Sequence, residues 1–66
     1  MLRGIVNKIQ TKKEHKSYGF IDGYDGESYW FSLKGCENVK VGDEVEFEGA
    51  RNDRGFVARW VHPYIK

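Results

Sequence analysis

Short runs in which apolar and polar side chains alternate recur along this chain, and turns that contain glycine separate them. The clearest run is Glu44–Glu48, in which Val45 and Phe47 lie between glutamates. A period of two is typical of a β-strand with one buried face, whereas an amphipathic helix has a period of about 3.6 residues. The pattern therefore predicts an all-β chain.

Four further segments have the composition of strands, because β-branched or aromatic residues dominate each of them. These segments are Ile5–Ile9, Tyr18–Ile21, Tyr29–Phe31 and Phe56–Val61. Turn-forming residues separate the five strands, at Asp22-Gly23, Asp25-Gly26, Lys34-Gly35, Gly42-Asp43 and Asn52–Gly55. Pro63 cannot donate a hydrogen bond to a ladder, so we expect it just past the last strand.

The chain has 66 residues, and we expect residues 1–66 to form one domain. A sandwich of this size would leave the edges of both sheets open, whereas a closed barrel removes them, so we predict a five-stranded antiparallel barrel. The single Cys36 cannot form an internal disulfide. No apolar segment has the length of a signal or a membrane span, and we expect a cytoplasmic protein without membrane contact.

Ten of the 66 residues are aromatic. A core this small cannot bury ten rings of about 150–250 Å² each, so some rings lie on the surface, where large apolar groups usually serve a partner. Alternation along the second strand places Tyr18 and Phe20 on one face and Gly19 and Ile21 on the other. We expect the two rings to face outward and to stack bases; the alternative is that both are buried.

The charges are unevenly distributed although the net charge is +1. Residues 1–20 carry five basic side chains against one acidic, residues 21–50 two against eight, and residues 51–66 four against one. If the fold brings the two ends to one face, that face would attract phosphate. The alternative is an ordinary solvated surface.

The segment KSYGFI at residues 16–21 resembles the first nucleic-acid-binding motif of the cold-shock domain family, K-G-F-G-F-I. Four other segments resemble the same family in the same order. Residues 3–9 resemble its opening strand, residues 29–32 the end of its second motif, and residues 41–48 and 54–61 its fourth and fifth strands. The resemblance covers nearly the whole chain.

This resemblance implies an oligonucleotide-binding (OB-fold) barrel that holds single-stranded RNA or DNA. A modest preference for pyrimidine-rich strands and a role as an RNA chaperone or as a regulator of transcription or translation are also implied. Bases would stack on Tyr18, Phe20 and Trp30. Phosphates would meet the basic side chains Lys8, Lys12, Lys13, Lys16 and Arg59.

The chain departs from the family pattern at several positions. Lys8 stands where the family has a stacking tryptophan, Ser28 where it has the first phenylalanine of its second motif, and Trp30 where it has a histidine. In this register Trp30 faces outward, while Tyr29 and Glu27 point into the core. A slip of one residue would exchange the two faces.

We assign the remaining rings to the core or to the chain's periphery. The aromatic core is predicted to contain Tyr29, Phe31, Phe47 and Phe56. Trp60 is expected to close the barrel, and the alternative is that it contacts a ligand beside Arg59. Tyr24 is expected at a hairpin tip and Tyr64 against the C-terminus.

Catalysis requires converging groups with complementary pKa values, and the sequence offers poor candidates for them. His15 and His62 are far apart, and together with Cys36 they lack the spacing of a zinc site. We therefore expect no enzyme activity, no metal and no cofactor. The alternative function is a small barrel that binds another protein and has lost much of its affinity for nucleic acid; a weak homodimer is also open.

Overall fold

Five strands account for the regular structure of the computed structural model, which describes residues 1–10, 17–33 and 39–65. The strands are β1 (Leu2–Gln10), β2 (Tyr18–Gly23), β3 (Ser28–Ser32), β4 (Glu44–Asn52) and β5 (Gly55–Pro63). Each contains one of the five predicted runs and is longer than predicted. Among the described residues, no helix is long and apolar enough to cross a membrane.

The strands close into a barrel in the order β1-β2-β3-β5-β4, with β4 pairing back onto β1. The predicted all-β, five-stranded barrel is confirmed, and its strand order is that of an OB-fold-like barrel. Four pairings are antiparallel, but β3 and β5 are parallel and meet at Trp30 and Val57. Among the described strands, this seam is the one parallel pairing in an otherwise antiparallel barrel.

A β-bulge in β1 decides which way Lys8 points. Val6 pairs with Ile21, but Lys8 pairs with Phe20, so Asn7 is an extra residue on β1. Val6 is buried and Lys8 is exposed. Without the extra residue the two side chains would share a face, so the bulge brings Lys8 to the outer surface beside Phe20.

The inward positions of the strands form one apolar core. Its members are Val6, Ile21, Tyr29, Phe31, Leu33, Val39, Val45, Phe47 and Ala58, all at most 8% exposed. The predicted burial of Tyr29, Phe31 and Phe47 is confirmed. Among the described residues no charged or polar side chain is buried in this core.

Gly19 allows β1 and β2 to approach over this core. A Cβ atom at Gly19 would lie 2.5 Å from the carbonyl oxygen of Lys8 and 2.8 Å from the Phe31 ring. Only a residue without a side chain fits at this distance.

The structure corrects four predictions about individual residues. Glu27 is exposed, because it precedes β3 instead of lying within it. Phe56 is 38% exposed at the start of β5, where it packs against the Tyr29 ring instead of entering the core. Pro63 is the last residue of β5, opposite Val45, and not a residue beyond it.

Trp60 is the fourth correction, since it does not close the barrel but is 74% exposed. Glu46 pairs with His62 and Glu48 with Arg59, so two residues of β5 stand opposite one of β4. Trp60 adopts a φ of 57° in this bulge, the left-handed conformation that glycine usually provides. The bulge interrupts the alternation that would have turned the ring inward.

Candidate functional site

Three rings lie together on the outer face of β2 and β3, and we call Tyr18, Phe20 and Trp30 the aromatic platform. Phe20 and Trp30 are direct cross-strand partners. The ring centroids of Tyr18 and Phe20 are 6.1 Å apart with their planes nearly perpendicular, and those of Tyr18 and Trp30 are 6.2 Å apart with their planes 23° from parallel.

Trp30 is 41% exposed and its neighbour Tyr29 only 4%. The predicted register, with Trp30 outward and Tyr29 inward, is therefore confirmed. Tyr18 and Phe20 are half-buried, while the alternate residues Gly19 and Ile21 are fully buried. The outward orientation predicted for the two β2 rings is confirmed as well.

The structure places two of the predicted basic residues. Lys8 is exposed and lies opposite Phe20, at the β1 side of the platform. Arg59 is exposed on β5 but stands directly opposite Glu48, whose carboxylate offsets part of its charge. Lys12, Lys13 and Lys16 lie outside the described residues.

A groove adjoins the platform on the side away from Lys8. It is open to solvent, has a volume of about 540 Å³, and lies between the platform and the hairpin that joins β4 to β5. Its lining residues are Phe20, Ser28, Trp30, Asn52, Arg54, Phe56 and Val57.

Sequence reasoning missed the hairpin side of this groove. The turn at Asn52–Gly55 was predicted, but nothing in the sequence shows that the β3–β5 pairing brings it beside Trp30. The small side chain of Ser28 in a strand rich in rings was the available signal for a groove, but it does not indicate what lies across it.

The hairpin itself has a defined geometry. Asn52 and Gly55 pair at its base, which leaves Asp53 and Arg54 as a two-residue turn. The side-chain oxygen Oδ1 of Asn52 accepts a hydrogen bond from the backbone N–H of Arg54 at 2.9 Å. Gly55 has a φ of 124°, which a residue with a side chain rarely adopts. These features fix the backbone from which the Arg54 side chain projects.

The turn that joins β2 to β3 is acidic, and it lies at the opposite end of β2 from Tyr18. The hydroxyl of Tyr29 donates a hydrogen bond to Asp25 Oδ2 at 2.5 Å, and the backbone N–H of Glu27 donates one to Asp25 Oδ1 at 3.1 Å. Both bonds favour the carboxylate and hold the pKa of Asp25 below its ordinary value, the Tyr29 bond most strongly. Negative charge at this end disfavours a phosphate there.

Tyr24, predicted at a hairpin tip, lies in this acidic turn and also contacts β4. Its hydroxyl donates a hydrogen bond to Glu44 Oε2 of β4 at 3.0 Å. Partial burial and this hydrogen bond raise the pKa of Tyr24. The ring therefore ties the β2–β3 turn to β4.

Two contacts of His62 hold the bulge at Trp60. His62 Nδ1 lies 2.9 Å from the carbonyl oxygen of Trp60, and His62 Nε2 lies 3.2 Å from Glu46 Oε1. These contacts hold the backbone from which the exposed Trp60 ring projects.

No family model matches the chain, and no curated protein matches its sequence. Within the described ranges, no group of three or more His, Cys, Asp or Glu side chains is placed to hold a metal ion.

Proposed function

We propose that this chain binds single-stranded nucleic acid on the outer face of β2 and β3. The observation that carries the proposal is the aromatic platform, in which the Tyr18 ring lies 6.1 Å from the Phe20 ring and 6.2 Å from the Trp30 ring, and Phe20 and Trp30 are cross-strand partners. Unstacked bases offer flat faces to such rings, and each base–ring stack contributes about 1–3 kcal/mol. The cold-shock resemblance stated from the sequence implies the same ligand and the same surface.

The charges next to the platform agree with this ligand. Lys8 is exposed beside Phe20 and can meet a phosphate of a strand that crosses the platform from β1 to the β4–β5 hairpin, where Arg54 lines the groove. OB-fold barrels bind oligonucleotides on the face of strands 2 and 3 together with the loops after strands 1 and 4. The predicted phosphate contacts of Lys12, Lys13 and Lys16 belong to the first of these loops.

A fluorescence titration tests the proposal. The chain has two tryptophans, so Trp60→Phe leaves Trp30 of the platform as the only tryptophan reporter. We expect a single-stranded oligonucleotide to quench Trp30 emission at low salt, and Phe20→Ala to weaken binding by about 1–3 kcal/mol. The matched control is Tyr24→Ala, which removes an exposed ring outside the platform and is expected to leave affinity unchanged. Absence of quenching at low salt, or equal affinity of the Phe20 variant and the parent, would refute the proposal.

Trp60 favours a second candidate function, the binding of another protein. Its ring is 74% exposed in a backbone conformation that costs free energy, and such conformations persist mainly at functional positions. A protein that the chain captures after nuclease treatment, and that Trp60→Ala loses while Phe20→Ala retains, would support this candidate. An oligonucleotide dissociation constant above about 10⁻⁴ M would exclude nucleic-acid binding and favour protein binding.

A further inference from the structure

The groove beside the aromatic platform is lined by apolar and polar side chains that suit a flat ring with a polar edge. Phe20 and Trp30 form its platform side, and Val57 lies next to Trp30 across the parallel seam. Ser28 lies two residues before Trp30 on the same face of β3, and its small side chain leaves open the space that a ring would fill. A nucleobase combines apolar faces with a polar edge and suits this combination of walls.

The polar groups of the groove are mostly hydrogen-bond donors. The Arg54 guanidinium carries five N–H donors and no acceptor, and the Ser28 hydroxyl can donate as well. The side-chain oxygen of Asn52 already accepts the Arg54 backbone N–H, so this amide offers chiefly its NH₂ group to a ligand. These donors can pair with a base whose exposed edge carries hydrogen-bond acceptors.

Guanine presents two adjacent acceptors, O6 and N7, on one edge, and a guanidinium can pair with both. Adenine presents one acceptor and one amino donor at the corresponding edge, and cytosine presents an amino donor. We propose that the groove holds a guanine base of the bound strand, with Arg54 paired to O6 and N7. This inference rests on the proposed function, because it assigns a base to one position of the same strand.

A phosphate is the competing ligand for Arg54. Two carboxylates disfavour it: Asp22 lies directly opposite Ser28 on the neighbouring strand, and Asp53 precedes Arg54 in the turn. A neutral base is not repelled by these charges. The apolar side walls likewise favour a base over a phosphate, since a phosphate would lose hydration beside them.

The test compares short oligouridines that differ only at the central nucleotide, which is guanine, adenine, cytosine or uracil. Affinity is measured through Trp30 emission in the Trp60→Phe chain. We expect the guanine strand to bind about fivefold tighter than the adenine strand, which is the lower end of the discrimination a bidentate arginine–guanine pair provides. Equal affinity for the four strands would overturn the inference and leave the proposed function standing. If none of the four binds, both are overturned.

Two variants separate the groove from the platform. Arg54→Lys keeps the positive charge but loses the planar fork, so we expect it to reduce the guanine preference while the all-uridine strand binds as before. Ser28→Phe fills the groove and should abolish the preference, whatever its added ring does to affinity in general. A guanine preference that neither substitution reduces would overturn the assignment of this base to the groove.

Discussion

The hydroxyl of Tyr29 lies 2.5 Å from Asp25 Oδ2 and joins the core to the β2–β3 turn. The Tyr29 ring is buried between the rings of Phe47 and Phe56, at centroid distances of 4.9 and 5.5 Å. The hydrogen bond to Asp25, together with burial, raises the pKa of Tyr29 to about 12. The Tyr29 ring thus belongs to the core, while its hydroxyl donates a hydrogen bond to an exposed carboxylate.

This pair predicts how stability depends on pH. A folded-state pKa raised from 10.0 to about 12 gives stability that is fully present below pH 10 and is lost as the pH rises toward 12. The lowered pKa of Asp25 gives stability that is present above its ordinary value of 3.8 and is lost as the pH falls further. We expect Tyr29→Phe to be less stable than the parent at pH 7 and the difference to shrink toward both extremes. Urea unfolding across the pH range measures this, and a difference that stays constant from pH 7 to pH 12 would contradict it.

The close approach of β1 and β2 at Gly19 gives a second prediction. A methyl group there meets the backbone oxygen of Lys8 and the Phe31 ring at less than 3 Å, and neither can move without shifting a strand or the core. We expect Gly19→Ala to lower the free energy of unfolding by about 1–3 kcal/mol, as overpacking usually does.

Gly49→Ala is the matched control. A methyl group at this position meets the Leu2 side chain at 2.6 Å, but Leu2 is partly exposed and can rotate away. We expect a change within about 0.5 kcal/mol. Chemical denaturation of the two variants measures the contrast, and equal losses would show that the Lys8 carbonyl and the Phe31 ring do not limit the space at Gly19.

The backbone at Trp60 gives a third prediction. A residue with a Cβ atom at a φ of 57° costs about 1–2 kcal/mol, and the exposed ring recovers little of this by burial. Trp60→Gly should therefore raise the free energy of unfolding by about 1 kcal/mol, whereas Trp60→Ala keeps the Cβ atom and should give no such gain. Thermal unfolding compares the two. If alanine stabilises the chain as much as glycine does, the conformation at Trp60 carries no strain.

The sequence predictions were correct where they depend on residues within one strand and failed where they depend on a partner strand. Alternation is local, so the inward positions of Tyr29 and Phe47 and the outward positions of Phe20 and Trp30 were predicted correctly. Trp60 was misassigned because a bulge shifts the alternation by one residue, and a bulge depends on the partner strand as much as on the strand itself.

The groove could not be predicted either, because its walls come from segments that are distant in the sequence. Ser28 and Arg54 are 26 positions apart in the sequence, and only the parallel pairing of β3 with β5 makes them neighbours of one groove. Alternation along a strand contains no information on that pairing. A turn motif could therefore be predicted at Asn52–Gly55, but its place beside the aromatic platform could not.

The position of Lys8 gives a last prediction, about the salt dependence of binding. The β1 bulge places this ammonium group beside Phe20, where it can meet the phosphate of a stacked nucleotide. Each neutralised phosphate of a single strand steepens the plot of log affinity against log salt by about 0.7. We expect Lys8→Gln to flatten that slope by about this amount in oligonucleotide titrations. Arg3→Gln removes the same charge where the guanidinium covers the Tyr64 ring at 4.5 Å, away from the platform, and should leave the slope unchanged. Identical slopes for Lys8→Gln and the parent would show that no phosphate contacts Lys8. A flatter slope for Lys8→Gln alone would show that the nucleic acid passes the β1 side of the platform.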